Sequence, residues 1–361
     1  MTPYPSDLKT LWALVSHYSP SGQEAAAVEA LLARFRELGY TKAFRDPAGN
    51  AIGVMGGGPR QIILLGHIDT VPGEIPVRIE TLPDEGAVLF GRGSVDAKGP
   101  LAAFTDAAAA AGPQAGWQII VIGAVDEERE SVGARFVAQQ ADYHPDYAII
   151  GEPSNWQRVT LGYKGSARAT VRFQRPLSHT ASQDTSAAEM ACTWWQALQS
   201  QVAARNHDKQ RTFDRLQPSL RGLTSGDDGF TEWAELHLGC RLPPDVSPQA
   251  WYRLLTEIQP GGEVQPQGYA ISAYRGEKRT PLTRAFLGAI RAAGGKPGFV
   301  VKTGTADLNI VAPVWGCPAV AYGPGDSSLD HTPHEHLPLA SYRKAVAVLT
   351  GVLTRLTAPA P

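Results

Sequence analysis

Three short apolar runs in this chain end in the same way, and that repetition restricts the fold more than any other feature of the sequence. Residues 61–65 lead into Gly66-His-Ile-Asp69, residues 117–125 into Asp126-Glu-Glu128, and residues 147–150 into Gly151-Glu152. Runs of this length without polar alternation suit strands covered on both faces, as in a largely parallel sheet flanked by helices. Polar residues just past the carboxyl ends of such strands lie where open α/β sheets bind ligands. Helical patterns alternate with these runs. Ser21-Gly-Gln-Glu24 reads as a capping box, followed by Val28, Leu31, Leu32, Phe35 and Leu38 at helical spacing until Gly39 ends the element. The Ala-rich stretch 98–111 reads as a second helix. A further strand, 50–55, is separated from 61–65 by Gly56-Gly-Gly-Pro59, which reads as a turn; no Lys-Ser/Thr follows it, so it is not a phosphate loop.

From about Val159 the texture changes. Residues 159–173 alternate like a strand, 185–204 are helical and 232–241 alternate again, which reads as an inserted α+β unit. After about Ser272 the pattern returns to helix (281–293), strand (299–302), strand (319–322) and a closing helix (341–356). A length of 361 residues exceeds one domain of roughly 100–200 residues. The expectation is therefore an α/β protein whose mixed-sheet catalytic domain is discontinuous, 1–157 and 273–361, with a separate domain inserted at 158–272.

Several function classes are disfavoured at this level. The apolar runs fall far short of the roughly 20 residues that span a bilayer, and the N-terminus has no basic segment followed by an apolar block. Cys192, Cys240 and Cys317 are an odd number at long spacings, which suits neither a disulfide framework nor a thiolate metal knuckle. A cytoplasmic protein is expected. A net charge of −2, with no aromatic platform among the basic residues, argues against nucleic-acid binding. The charge is uneven, however: residues 158–225 carry ten Lys or Arg against four Asp or Glu. That stretch is either a solvated face or a docking surface for an acidic partner.

The chemistry lies in the strand-end residues taken as a set. His67 and Asp69 share one face at the end of a strand, so one can bind a metal while the other orients it. Asp96, in Gly91-Arg-Gly-Ser-Val-Asp-Ala-Lys-Gly99, precedes a helix and taken alone reads as its N-cap. Asp126, Glu127 and Glu128 are three adjacent acids that repel one another unless cations compensate; strand alternation sends Glu127 and Glu128 to opposite faces, one near a reacting water and one on a metal. Glu152 adds a carboxylate. His331, in His331-Thr-Pro-His-Glu-His336, adds an imidazole, unless that cluster is only an exposed polar loop. Two histidines with three or more carboxylates form a mixed N/O set suited to zinc. Two bound cations would lower the pKa of a shared water, and a nearby Glu would collect its proton and pass it to a leaving amine. No serine triad competes, since Gly-x-Ser-x-Gly is absent and Cys192 sits in a helical Ala/Trp/Leu pattern.

Gly66-His-Ile-Asp-Thr-Val-Pro72, Gly91 to Gly99, Asp126-Glu-Glu128, Gly151-Glu-Pro153 and His331-Thr-Pro-His-Glu335 occur in the order found in the dizinc aminoacylase and carboxypeptidase family, which this chain resembles along nearly its whole length. The resemblance implies two divalent metals, zinc or else cobalt. It implies His67 and Glu152 on one ion, Glu128 and His331 on the other, and Asp96 bridging them before a cis peptide to Ala97. It further implies Glu127 as general base, with Asp69 orienting His67. The inserted unit would be a lid that mediates homodimerisation, with His179 reaching the oxyanion of the other subunit's substrate. Arg241 resembles the lid arginine that clamps a substrate carboxylate, and Gly304 and Thr305 the loop that receives it. His334 departs from the family, where Asp or Asn is usual, so His331 is the expected ligand.

Within that family the chain most resembles hydrolases that release lysine or ornithine from the C-terminal glutamate of a small acidic amino-group carrier protein. Arg168, Arg172, Arg175, Lys209, Arg211 and Arg215 would then supply a complementary surface. The alternatives are a deacylase acting on acetylornithine or succinyl-diaminopimelate, and a binding protein that keeps the fold without the chemistry. The presence of every expected ligand and of the base argues against the second.

Overall fold

The computed structural model describes residues 4–179, 181 and 184–359. Their contacts divide the chain into two compact units: one runs up to Gly162, over Gly276–Val300 and from Ala306 onwards, the other comprises Tyr163–Arg275 and Val301–Thr305.

The first unit is built on a mixed sheet. Along it lie Lys42–Arg45, Ala51–Gly56, Trp117–Ala124, Arg60–His67, Tyr147–Gly151, Ala319–Ala321 and Arg158–Tyr163. Arg60–His67 pairs in parallel with both its neighbours, whereas Ala51–Gly56 is antiparallel to Trp117–Ala124. Every residue from Ile62 to His67 is buried, and because successive strand side chains point to opposite faces, both faces of the sheet are covered there. Helix Lys98–Ala111 packs on this strand and against helix Leu339–Thr357. The glycine-rich turn 56–59 joins consecutive strands that are not neighbours in the sheet, since Trp117–Ala124 lies between them. A smaller sheet of Arg78–Leu82, Gly86–Phe90 and His336–Pro338 completes the unit.

The expected capping box does not form. The helix runs Ala25–Glu37 with Glu24 at its N-cap and no side-chain cap, while the Ser21 hydroxyl donates to Asp69 Oδ2 at 2.7 Å. Asp69 is fully buried, and a buried carboxylate needs donors more than a helix end that water can reach.

In the second unit four antiparallel strands run in the order Gln217–Asp227, Thr231–Leu242, Gly165–Pro176 and Glu263–Ile271. Ala167, Ala169, Val171 and Phe173 join Trp194 and Leu198 of helix Ala187–Asn206, and Trp251 and Leu255 of helix Pro248–Glu257, in one core. Alternation sends Arg168, Thr170 and Arg172 to the opposite face. The single strand expected over 159–173 is two, broken at Lys164. That side chain is fully buried, and its Nζ donates to the carbonyls of Thr212 and Arg215 and to Gln217 Oε1. A buried ammonium needs such a cage of acceptors, and making it ends the regular strand. Among the described residues no helix is long and apolar enough to cross a membrane.

Candidate metal centre

The sheet register delivers the first residues of the site. Gly66 pairs with Gly151 on adjacent parallel strands, so His67 and Glu152 leave the sheet side by side. On the other flank His67 is level with Ala124, two residues before Asp126. Asp96 comes from the loop between strand Gly86–Phe90 and helix Lys98–Ala111, and the Asp96–Ala97 peptide is cis. Ala97, not Asp96, occupies the helix N-cap position. The Asp96 carboxylate instead spans two imidazoles, with Oδ1 3.1 Å from His67 Nε2 and Oδ2 3.1 Å from His331 Nε2. His331 Nε2 also lies 3.0 Å from Glu128 Oε1. Gly93, at φ 82°, lets this loop turn where an added Cβ would lie 2.8 Å from Thr70 Cγ2.

Glu127 and Glu128 are not separated by strand alternation as the sequence suggested. The strand ends at Ala124, Asp126 takes a left-handed φ of 66°, and the Ser131 N–H closes the turn on Asp126 O at 2.6 Å. Asp69 holds this turn: its Oδ1 accepts the Glu127 N–H and its Oδ2 the Glu128 N–H, both at 3.1 Å. The turn aims the N–H groups of Glu127 and Glu128 at a buried acceptor, where a regular strand would have pointed them to opposite sides. The His67 Nδ1 faces the Asp69 carbonyl at 3.0 Å and its Oδ1 at 3.4 Å.

The charges in this cluster are strongly coupled. Burial lowers the proton affinity of His67, but the Asp69 and Asp96 carboxylates outweigh it and hold the imidazole well above its usual pKa. Hydrogen bonds to Asp96 and Glu128 raise His331 to about 10. Burial pushes Asp96 up, yet the two imidazoles hold it well below the usual carboxylate range. Glu127 is raised well above its ordinary value by burial, with the charges of Asp307, Glu152 and Glu128 adding to it. A buried carboxylate with raised proton affinity is suited to collecting and passing on a proton.

Four residues around the site had no assigned role in the sequence reading. Asp307, 1% exposed, is raised to about 7, chiefly by burial, with the charges of Asp69 and Asp126 adding to it. Lys98, fully buried, donates from Nζ to the His17 carbonyl at 2.7 Å. Arg92 and Glu335 form a buried ion pair at 2.8 Å. Glu335 falls inside the His331-to-Glu335 motif, and Arg92 and Lys98 inside Gly91-to-Gly99, which was the available signal. The neighbouring His336 is buried, with Nδ1 on the His334 carbonyl at 2.6 Å and Nε2 3.2 Å from Glu85, and His334 is exposed.

The remaining candidates lie in the second unit. Arg241 Nη1 donates to Thr305 Oγ1 at 2.7 Å, and that hydroxyl donates to the Lys164 carbonyl at 3.0 Å; Gly304 is the residue before it. His179 is exposed, and its Nδ1 accepts the Ala181 N–H at 3.1 Å. The basic stretch is partly neutralised from within: Arg175 contacts Asp184 at 3.3 Å and Glu232 at 3.4 Å, Lys209 contacts Asp245 at 3.3 Å, and Arg172 lies 3.8 Å from Glu235. Arg168, Arg211 and Arg215 are exposed.

Ligand atoms of His67, Asp96 and Glu128 lie within 4.8 Å of one another, and His331 adds a second imidazole against two of the same carboxylates. Nitrogen and oxygen donors in this mixture suit zinc, so the residues present fit a metal. Side chains able to bind metal at the carboxyl ends of parallel strands, with a buried carboxylate beside them that can take a proton, are what a metal-dependent hydrolase requires. The chain matches the model for peptidase family M20/M25/M40 over residues 63–355 and belongs to that family. A [LysW]-lysine hydrolase from Deinococcus radiodurans is 46% identical to it, with 95% of this chain and 94% of that protein aligned. The M20 family metallo-carboxypeptidase Sso-CP2 from Sulfolobus solfataricus shares the fold with a TM-score of 0.77 at 16% identity, over 98% of this chain and 99% of that one. A dinuclear metal binding peptidase of the M20 family from Bacillus subtilis gives 0.70 at 14% identity, over 98% of each chain.

Proposed function

We propose that this protein is a cytoplasmic [LysW]-lysine hydrolase, which cleaves the amide joining lysine, or ornithine, to the C-terminal glutamate of the LysW carrier protein. The observation that carries this reading is the 46% identity over 95% of the chain to a protein of that name. The histidine and carboxylate cluster at the strand ends supports it.

In this reading His67 and Glu152 would hold one divalent ion and Glu128 and His331 the other, with Asp96 shared between them; zinc is the expected metal. Bound there, the ions would polarise the scissile carbonyl and lower the pKa of the attacking water. Glu127, aimed by the hold of Asp69 on its backbone, takes a proton from that water and passes it to the nitrogen of the breaking C–N bond. The products are the carrier carboxylate and a free amine, so the proton is conserved. Arg241, with the backbone at Gly304 and Thr305, clamps the substrate carboxylate. The second unit serves as lid and homodimer contact, and His179 donates to the oxyanion of the neighbouring subunit's substrate.

The test is hydrolysis by the zinc-loaded protein of two substrates side by side, lysine linked to the terminal glutamate of LysW and free acetylornithine. Strong preference for the first is expected; preference for acetylornithine would replace this reading with that of a small-molecule deacylase.

A further inference from the structure

Glu335 is fully buried, and all its acceptor capacity is taken up by the loop that carries Asp96. Its Oε1 accepts the N–H groups of Val95 at 2.9 Å and Asp96 at 3.0 Å; its Oε2 accepts the Gly93 N–H at 3.1 Å and Arg92 Nη1 at 2.8 Å. A carboxylate has about four lone-pair sites, so Glu335 has none left for a metal. Arg92 extends the tie, donating from Nη1 to the Thr332 carbonyl at 3.1 Å and from Nε to the Gly73 carbonyl at 2.9 Å. Glu335 lies four residues after His331, and Thr332 follows His331 directly. Two segments far apart in the chain, each presenting one side chain to the metal centre, are thus joined through one carboxylate and one guanidinium.

We propose that Glu335 is a positioning residue which fixes the Asp96 loop against the His331 segment, so that the spacing of these two metal-facing side chains is set by the protein before metal arrives. This rests on the reading of the cluster as a metal centre, but not on the identity of the substrate. Glu335→Gln keeps the size and one acceptor oxygen while placing an NH2 group against donors. Partners of this kind, one step removed from the metal, are worth roughly 10–100-fold in metal affinity.

The experiment measures zinc affinity by chelator competition, and thermal midpoints with and without zinc, for the wild type and Glu335→Gln. A 10–100-fold weaker affinity and a smaller rise in midpoint on zinc loading are expected for the variant. Equal lowering of both midpoints with wild-type affinity would mean a merely structural role and would overturn the inference. A wild type that binds no zinc would sink the metal reading and this inference with it. If Glu335→Gln fails to fold, hydrogen exchange on the metal-free wild type decides. Slow exchange across the 91–97 peptide is expected, and protection that develops only after zinc is added would assign the ordering to the metal instead.

Discussion

The Asp69 carboxylate accepts the backbone N–H of Glu127 at 3.1 Å. Its other oxygen holds the next N–H along and the Ser21 hydroxyl, so one buried acid sets the turn that carries the proposed base. Replacing it with asparagine leaves one oxygen and presents an NH2 group to backbone donors. Displacement of a reacting group by about 1 Å can cost roughly 10²-fold in rate. For Asp69→Asn, kcat on the carrier-linked substrate is expected to fall by about that factor while KM changes little; steady-state kinetics check this, and an unaltered kcat would remove Asp69 from the positioning role.

Glu127 should behave differently. Glu127→Gln removes the proton acceptor and keeps the shape, so kcat should fall by roughly 10²–10⁴-fold with zinc content per chain unchanged. Elemental analysis beside the kinetics tests the pair of outcomes, and loss of zinc together with activity would place Glu127 among the ligands.

Metal loading should release protons. Without metal, His331 is raised to about 10 by Asp96 and Glu128, and His67 is also raised, yet a ligating imidazole must be neutral. Zinc binding near pH 7.5 should therefore expel protons, that of His331 among them, visible by calorimetry in buffers of different ionisation enthalpy. The sign for stability follows. A histidine whose folded pKa lies above its unfolded value of about 6.5 stabilises the metal-free fold fully below that pH, and the contribution is lost as pH rises toward about 10. Metal-free protein should lose thermal stability over that range, and a midpoint that rises there would contradict the assignment.

The second unit predicts a salt effect. Arg168, Arg211 and Arg215 are exposed and available to an acidic carrier, whereas Arg175 and Lys209 are paired within the unit. Raising ionic strength should lower kcat/KM for the carrier-linked substrate several-fold and leave free acetylornithine unaffected. Arg168→Glu should reproduce the loss at low salt; a flat response on both substrates would reduce the patch to solvated charge.

What could be read from the sequence was whatever depended on local pattern. The apolar runs before Gly66, Asp126 and Gly151 became neighbouring strands because continuous burial leaves such segments no other place. The structure links His67 to Asp96, Asp96 to His331 and His331 to Glu128, each within 3.1 Å. What stayed hidden depended on partners distant in the chain. Ser21 resembles a helix cap until Asp69 is known to face it, and Glu127 and Glu128 look like strand residues until the same carboxylate bends the chain. Strand Arg78–Leu82 is half exposed and polar, so nothing in its own residues announces it. Glu335 looked like one more polar residue in a histidine-rich loop, because its partners are N–H groups that every residue type shares.

His67, Asp96, Glu128 and Glu152 all precede the inserted unit in the chain, and His331 follows it. During synthesis the ribosome therefore releases four of these side chains, then the whole second unit, before the fifth emerges. Until then Asp96 and Glu128 lack the imidazole that in the finished chain lies within 3.1 Å of both carboxylates, and Glu335 has yet to arrive at the Asp96 loop. A nascent chain cannot acquire a finished centre piecemeal. Hydrolytic competence should appear in one late step, when strand Ala319–Ala321 takes its place in the sheet and the segment carrying His331 and Glu335 docks after it.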